Sequence, residues 1–192
     1  MAGLSGVLGG GTLLRYTGDF ALFPTSILQA TLLPILLSHF SDDLAAGDQK
    51  KFKSTVVHAL CVVSCLLLGA SILLYALRFP MLRLIFLHGK MDQVGVFTMA
   101  QLLPHYLIGL VPFGALLILS RAHTALKNSK IMPQVGLLNV VLNVILNFVG
   151  VKVIGLAGIA LATSCVQWLI AFLFWILLKQ RLHTKSIQEA HP

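Results

Sequence analysis

The chain reads as an all-α integral membrane protein of about five transmembrane helices, and three observations carry that class. Five apolar runs, at 20–40, 54–77, 94–119, 135–153 and 155–178, each hold about 20 residues or more. At 1.5 Å per residue, each is long enough to cross roughly 30 Å of hydrocarbon. The composition agrees: 57% of the 192 residues are hydrophobic and only 10% charged, against about 25% charged in soluble domains. The basic residues are also sorted. Five lie on one side (Arg15, Arg78, Arg83, Lys90, Lys152) and nine on the other (Lys50, Lys51, Lys53, Arg121, Lys127, Lys130, Lys179, Arg181, Lys185). By the positive-inside rule this puts the N-terminus outside and the C-terminus in the cytoplasm. The net charge of +8 is then topogenic and faces membrane lipids, and no nucleic-acid partner is expected.

In chain order, 1–11 is glycine-rich, apolar and too short to span, and it lacks the basic start of a signal peptide. We expect 1–19 to be the stub of a preceding helix with an outer loop, 20–181 a helical bundle, and 182–192 a cytoplasmic tail. The first helix begins near Arg15 and carries Pro24 and Pro34, both expected to kink it. The connection 41–51 is polar, with Ser41 or Asp42 fit to cap a turn. Its Asp42–Asp43 pair is better read as a solvated loop than as a metal or phosphate site, since further ligands are missing. After the second run, 78–87 is apolar but too short to cross, which suits an interfacial or re-entrant piece. A turn follows at 88–92. The third run holds Pro104 and Pro112 with Gly109 and Gly114 close by, and is expected to bend. Pro133 suits the first turn of the fourth helix. A tight turn around 150–155 leads into the fifth, whose Gly155, Gly158 and Ala162 form a small-residue face for close helix approach. Cys61, Cys65 and Cys165 read as small apolar packing residues, with no disulfide or metal site expected.

Polar groups at membrane depth are costly and therefore informative. Asn139, Asn143 and Asn147 recur every four residues on one face of the fourth helix, with Gly136 continuing the stripe. They read either as interhelical hydrogen-bonding groups or as the lining of a hydrated transport path. Arg15 and Asp19, one turn apart, pair either on the surface or inside a cavity. In a cavity, Arg15 would attract a phosphate group. His105, beside Pro104, reads as a partner for a carbonyl freed by the bend or as a proton or ion relay. His58 is placed at the interface. No GxSxG, HExxH or P-loop pattern is present, so neither an enzyme nor a cofactor is indicated.

The order of motifs adds a resemblance. Arg15-Tyr16-x-x-Asp19, Phe23-Pro24, Leu32-Leu33-Pro34-x-Leu36-x-Ser38, His88-Gly89-Lys90, Pro133 and the Gly155–Ser164 segment (GLAGIALATS) together resemble the MviN/MurJ family. These are lipid II flippases of bacterial peptidoglycan synthesis, within the multidrug/oligosaccharide-lipid/polysaccharide exporter superfamily. The resemblance runs to about Arg181. It implies the end of the seventh helix and the eighth to twelfth of about fourteen, hence a partial lobe of an exporter-type bundle in the bacterial inner membrane. It also implies lipid II as the ligand, a cationic cavity between two lobes, alternating access, and a first lobe that is separately encoded if this chain works as it stands. The sequence departs from the family pattern in reading Gly18-Asp19 for an Asp-Arg pair, with Arg15 the candidate to compensate. Leu22 and Asn128 stand where acidic residues often occur. Three functions follow as expectations: part of a lipid II flippase; a non-transporting assembly subunit or truncated product; or half of a related polysaccharide-lipid or drug exporter.

Overall fold

A computed structural model describes residues 10–87, 92–128 and 130–190, with side chains through Leu182. Residues 1–9 of the expected 1–19 stub and loop, and most of the 88–92 turn, lie outside the described residues, while 10–19 form the start of a long helix rather than a loop. Seven helices follow in order: α1 (Gly10–Ala45), α2 (Gln49–Ala76), α3 (Arg78–Phe86), α4 (Gln93–Leu107), α5 (Leu110–Ala125), α6 (Ile131–Ile154) and α7 (Leu156–Ala190). Four of them are individually long and apolar enough to span, and α4 with α5 makes a fifth span bent by 48°. The all-α membrane class is confirmed.

α1 and α2 form an antiparallel pair whose buried residues recur at helical spacing. Leu13, Thr17, Ala21, Thr25, Leu33, Leu36 and Phe40 line one face of α1, and Phe52, Val56, Ala59, Val63 and Leu67 one face of α2. α1 starts at Gly10, earlier than the first apolar run suggests, and continues as one helix through both prolines. It does not stop at Ser41 or Asp42; the turn is 46–48, and Asp48 caps α2 by accepting the Lys51 amide at 2.8 Å. The apolar run ends at Phe40, which meets Phe52 edge to face at 5.6 Å. Just beyond it, Asp43 is buried rather than solvated. Its carboxylate accepts the Thr55 hydroxyl at 2.7 Å and lies 3.1 Å from Lys51 Nζ. A periodicity reading sees an acid in a polar loop; the one-turn extension of α1 swings it under α2.

The third run is two helices joined at Ile108–Gly109. Pro112 has no N–H, so the Ile108 carbonyl loses its helical donor. The Gly109 amide turns to Tyr106 O instead of completing the next turn, which leaves the His105 carbonyl open as well. α7 supplies both missing donors. Ser164 Oγ donates to His105 O at 2.5 Å, and Trp168 Nε1, one turn along, donates to Ile108 O at 3.2 Å. The expected bend is real, but the group that answers it is Ser164, not the His105 side chain. Gly109 permits the approach, since a Cβ there would sit 2.9 Å from Ser164 Cα.

α7 also carries α6. Gly155, at φ +68°, makes the turn between them, and α6 runs on through Gly150 to reach it. Gly150 and Gly158 meet backbone to backbone, with a Cβ at 150 falling 2.5 Å from Gly158 O. The expected small-residue face is therefore a contact between two glycines. At the opposite end, His123 on α5 is fully buried, with Nε2 3.1 Å from Phe174 O. Cys61, Cys65 and Cys165 lie exposed on outer helix faces, so they are not core packing residues.

Two predictions follow from these contacts. Gly109→Ala forces a methyl group against Ser164 backbone that cannot swing away, and is expected to cost about 1–3 kcal/mol. It should lower the unfolding midpoint in detergent micelles by circular dichroism; an unchanged midpoint would show that α7 is not clamped there. Asp43, in the last turn of α1, and Lys51, in the first turn of α2, lie between the apolar runs that end at Phe40 and resume at Ser54. The Thr55 hydroxyl, followed by Lys51, holds the Asp43 carboxyl below its usual range. The stability it adds is complete above the unfolded value near pH 4 and is lost as pH falls through the lower folded value. Asp43→Asn should flatten that acid-side loss in a midpoint-versus-pH series.

Candidate functional site

The N-terminal part of α1 is built around Gly18. With no side chain there, α1 lies against the Tyr106 ring, and a Cβ at 18 would sit 3.6 Å from it. Tyr16 and Phe20 hold Phe86 of α3 at centroid distances of 5.8 and 6.3 Å, so α3 braces the same end. With that side of α1 committed, Arg15 and Asp19 face away from the bundle. Their side chains are 82% and 71% exposed, and Arg15 Nε lies 3.9 Å from Asp19 Oδ2. So loose and exposed a pair contributes little stability. Both charges stand open on a helix whose opposite face is core.

His105 lies one residue before Tyr106, on the other side of α4. It borders a cavity of about 500 Å³ with Thr98, Gln101 and the α6–α7 turn. Its Nδ1 is buried and has no hydrogen-bond partner. Asn147 Oδ1 is a second such atom, and Ser71 Oγ and Gln167 Oε1 are two more. In a low-dielectric surround each costs free energy, which makes all four sites worth testing.

The asparagine stripe lies elsewhere. Asn139, Asn143 and Asn147 share the half-buried face of α6 with Leu142, Leu146 and Gly150, while Val140, Val141, Val144 and Ile145 face outward. Because Gly150 meets Gly158, that half-buried face looks onto α7. Asn143 Nδ2 donates within its own helix, to Asn139 O at 3.0 Å and Asn139 Oδ1 at 2.8 Å. α6 packs chiefly against α7, so the structure does not bring the stripe to Arg15 and Asp19. Gly136, which extends the stripe in sequence, is exposed with open space beside it.

Sequence reasoning missed Tyr106, Ser164 and Trp168. Two prolines flanking a glycine in one span signal carbonyls in need of donors. A serine and a tryptophan one turn apart on another span are the matching donors. Among the described residues no three His, Cys, Asp or Glu side chains converge as a metal ion would require.

A proline-broken span clamped by a neighbour, among further helices long and apolar enough to span, defines a multi-pass α-helical membrane bundle. The chain belongs to the MurJ family: the family profile described as "Lipid II flippase MurJ" matches residues 7–191. A Buchnera aphidicola protein named "Probable lipid II flippase MurJ" is 27% identical over 174 residues, covering 91% of this chain and 33% of the relative. "Lipid II flippase MurJ" of Thermosipho africanus is 28% identical over 155 residues, covering 79% and 31%. The solved structure "Lipid II flippase MurJ, inward closed conformation" superposes with a TM-score of 0.79 at 23% identity, over 94% of this chain and 39% of that one, and shows the shared fold. The chain spans about a third of the length of the curated relatives it matches.

The stripe can be tested directly. Asn143→Leu removes a bond within α6 on a packed seam, and is expected to lower stability by about 1 kcal/mol. Unfolding titrations and any transport assay, normalised to folded protein, report the two effects separately. Lost transport at unchanged stability would move the stripe onto a substrate path.

Proposed function

We propose that this chain forms part of a lipid II flippase, a translocase rather than an enzyme. It would help move an undecaprenyl-pyrophosphate-linked peptidoglycan precursor across the bacterial inner membrane. The family match over nearly the whole chain supports the reading, and the observation that carries it is the open Arg15–Asp19 face of α1. A guanidinium held outward at the end of a membrane helix attracts a pyrophosphate through charge-assisted hydrogen bonds. In this reading a first lobe, encoded separately or elsewhere in the same gene, closes the cavity over that face. The two lobes rock about it in alternating access. His105, at its own cavity, is the candidate for proton or ion coupling. The five-against-nine division of basic residues supports an outside N-terminus and a cytoplasmic C-terminus.

Asp19 favours a second reading. An acid 3.9 Å from Arg15 offsets its charge, as suits a subunit that assembles without carrying substrate. The two readings separate in flippase-depleted cells supplied with this chain, alone and with a first lobe. Growth rescue that drops tenfold or more with Arg15→Ala, partly restored by Arg15→Lys, at unchanged membrane abundance, supports the substrate path. Rescue indifferent to Arg15 would sink it, as would failure to rescue in every pairing.

A further inference from the structure

The first turns of α2 hold three lysines, and the α1–α2 turn uses only one. Lys51 is taken by Asp43. Lys50 and Lys53 lie on another face, where with Ser54, Val57, His58 and Cys61, all on α2, they line a shallow, wide-open groove of about 590 Å³. These six positions follow helical spacing and form a single stripe. No carboxylate lines the groove. Of the nearby acids, Asp43 is engaged by Thr55 and Lys51 and Asp48 accepts the Lys51 amide, while exposed Asp42 lies outside the groove lining. Among the described residues neither Lys50 nor Lys53 has an ion-pair partner.

The chemistry along the stripe is graded. Two ammonium groups come first, then a hydroxyl and an imidazole, then Val57 and Cys61, with exposed Cys65 and Leu68 continuing the line. The grade turns apolar where the second hydrocarbon-spanning run begins, at Ser54. That is the depth at which headgroups meet acyl chains, and where basic side chains gain most from anionic lipid. A soluble phosphate or an acidic peptide would use the lysines and leave the apolar half of the groove unfilled. A phospholipid fills both halves.

We propose that this groove binds an anionic membrane phospholipid, its phosphodiester between Lys50, Lys53, Ser54 and His58 and an acyl chain along Val57 and Cys61. The site is independent of the translocation reading, because it lies on α2 and shares no residue with the Arg15–Asp19 face.

The test uses the full chain in detergent with equal phosphatidylglycerol and phosphatidylcholine, and counts retained lipid by native mass spectrometry. Wild type should retain phosphatidylglycerol preferentially. The double variant Lys50→Gln/Lys53→Gln should weaken that retention about tenfold or more. Lys50→Arg/Lys53→Arg should keep it, and Lys179→Gln/Arg181→Gln, in a basic cluster on α7, should leave it unchanged. All four positions are exposed, and helicity by circular dichroism checks the fold. Placement of the chain is read from a bimane on Cys61 in a Cys65→Ala/Cys165→Ala background. Acyl-brominated phosphatidylglycerol should quench it more than brominated phosphatidylcholine does, and the glutamine pair should abolish the difference. Absence of a phosphatidylglycerol preference, or equal loss in the α7 variant, would overturn the proposal. So would displacement by glycerol phosphate without quenching at Cys61, which would make the ligand a soluble anion.

Discussion

Inside a bilayer every backbone carbonyl needs a donor from protein, and this bundle is arranged around two that the break between α4 and α5 leaves without one. Pro112 and the turned Gly109 amide leave Ile108 O and His105 O open at the break. With no water in hydrocarbon to take them, each open carbonyl would cost several kcal/mol. Ser164 and Trp168 close both from one face of α7. That fixes the rotation of α7 about its axis and its height against α4, with Ser164 seated directly against Gly109.

Much else follows from that placement. With α7 fixed, Gly158 presents its backbone to Gly150, and α6 has one way to lie. At the far end the His123–Phe174 contact ties α5 to α7 again, so the break is bridged on both sides. α5 in turn packs between α1 and α2, where Gly114 leaves room for Leu67. The bundle is thus joined through backbone contacts and small residues, as expected where lipid tails are as apolar as leucine and burial alone drives little association. Such a body suits rigid-body motion better than internal rearrangement.

The sequence made some of this legible and hid the rest for a physical reason. Long apolar runs fix where spans lie, and Pro104, Gly109 and Pro112 together marked the bend. Periodicity tells which residues share a face, though not where that face points. The asparagines at 139, 143 and 147 share a stripe as their spacing requires, yet a glycine contact elsewhere on α6 turns the stripe onto α7. Asp43 looked like loop because composition changes at Phe40, while α1 keeps its hydrogen bonds for another turn. Ser164 was visible only as part of a motif, since its role is defined by a carbonyl far away in sequence.

The charge in the N-terminal part of α1 can be argued from the same contacts. Where the family pattern places an Asp-Arg pair, this chain has Gly18-Asp19. Tyr106 already occupies the space beside position 18. A methyl group would fit there, but a longer side chain would have to displace the phenol end of the ring. Glycine removes that conflict and lets α1 sit close to α4. The cation then appears one turn earlier, at Arg15, on the same open face as Asp19. One helical turn moves a charge only about 5 Å along the axis, well within the reach of an arginine side chain. Under the proposed function, Arg15 supplies on this face the cation that position 19 lacks, beside the aromatic contact that Gly18 allows, with Asp19 there to temper it.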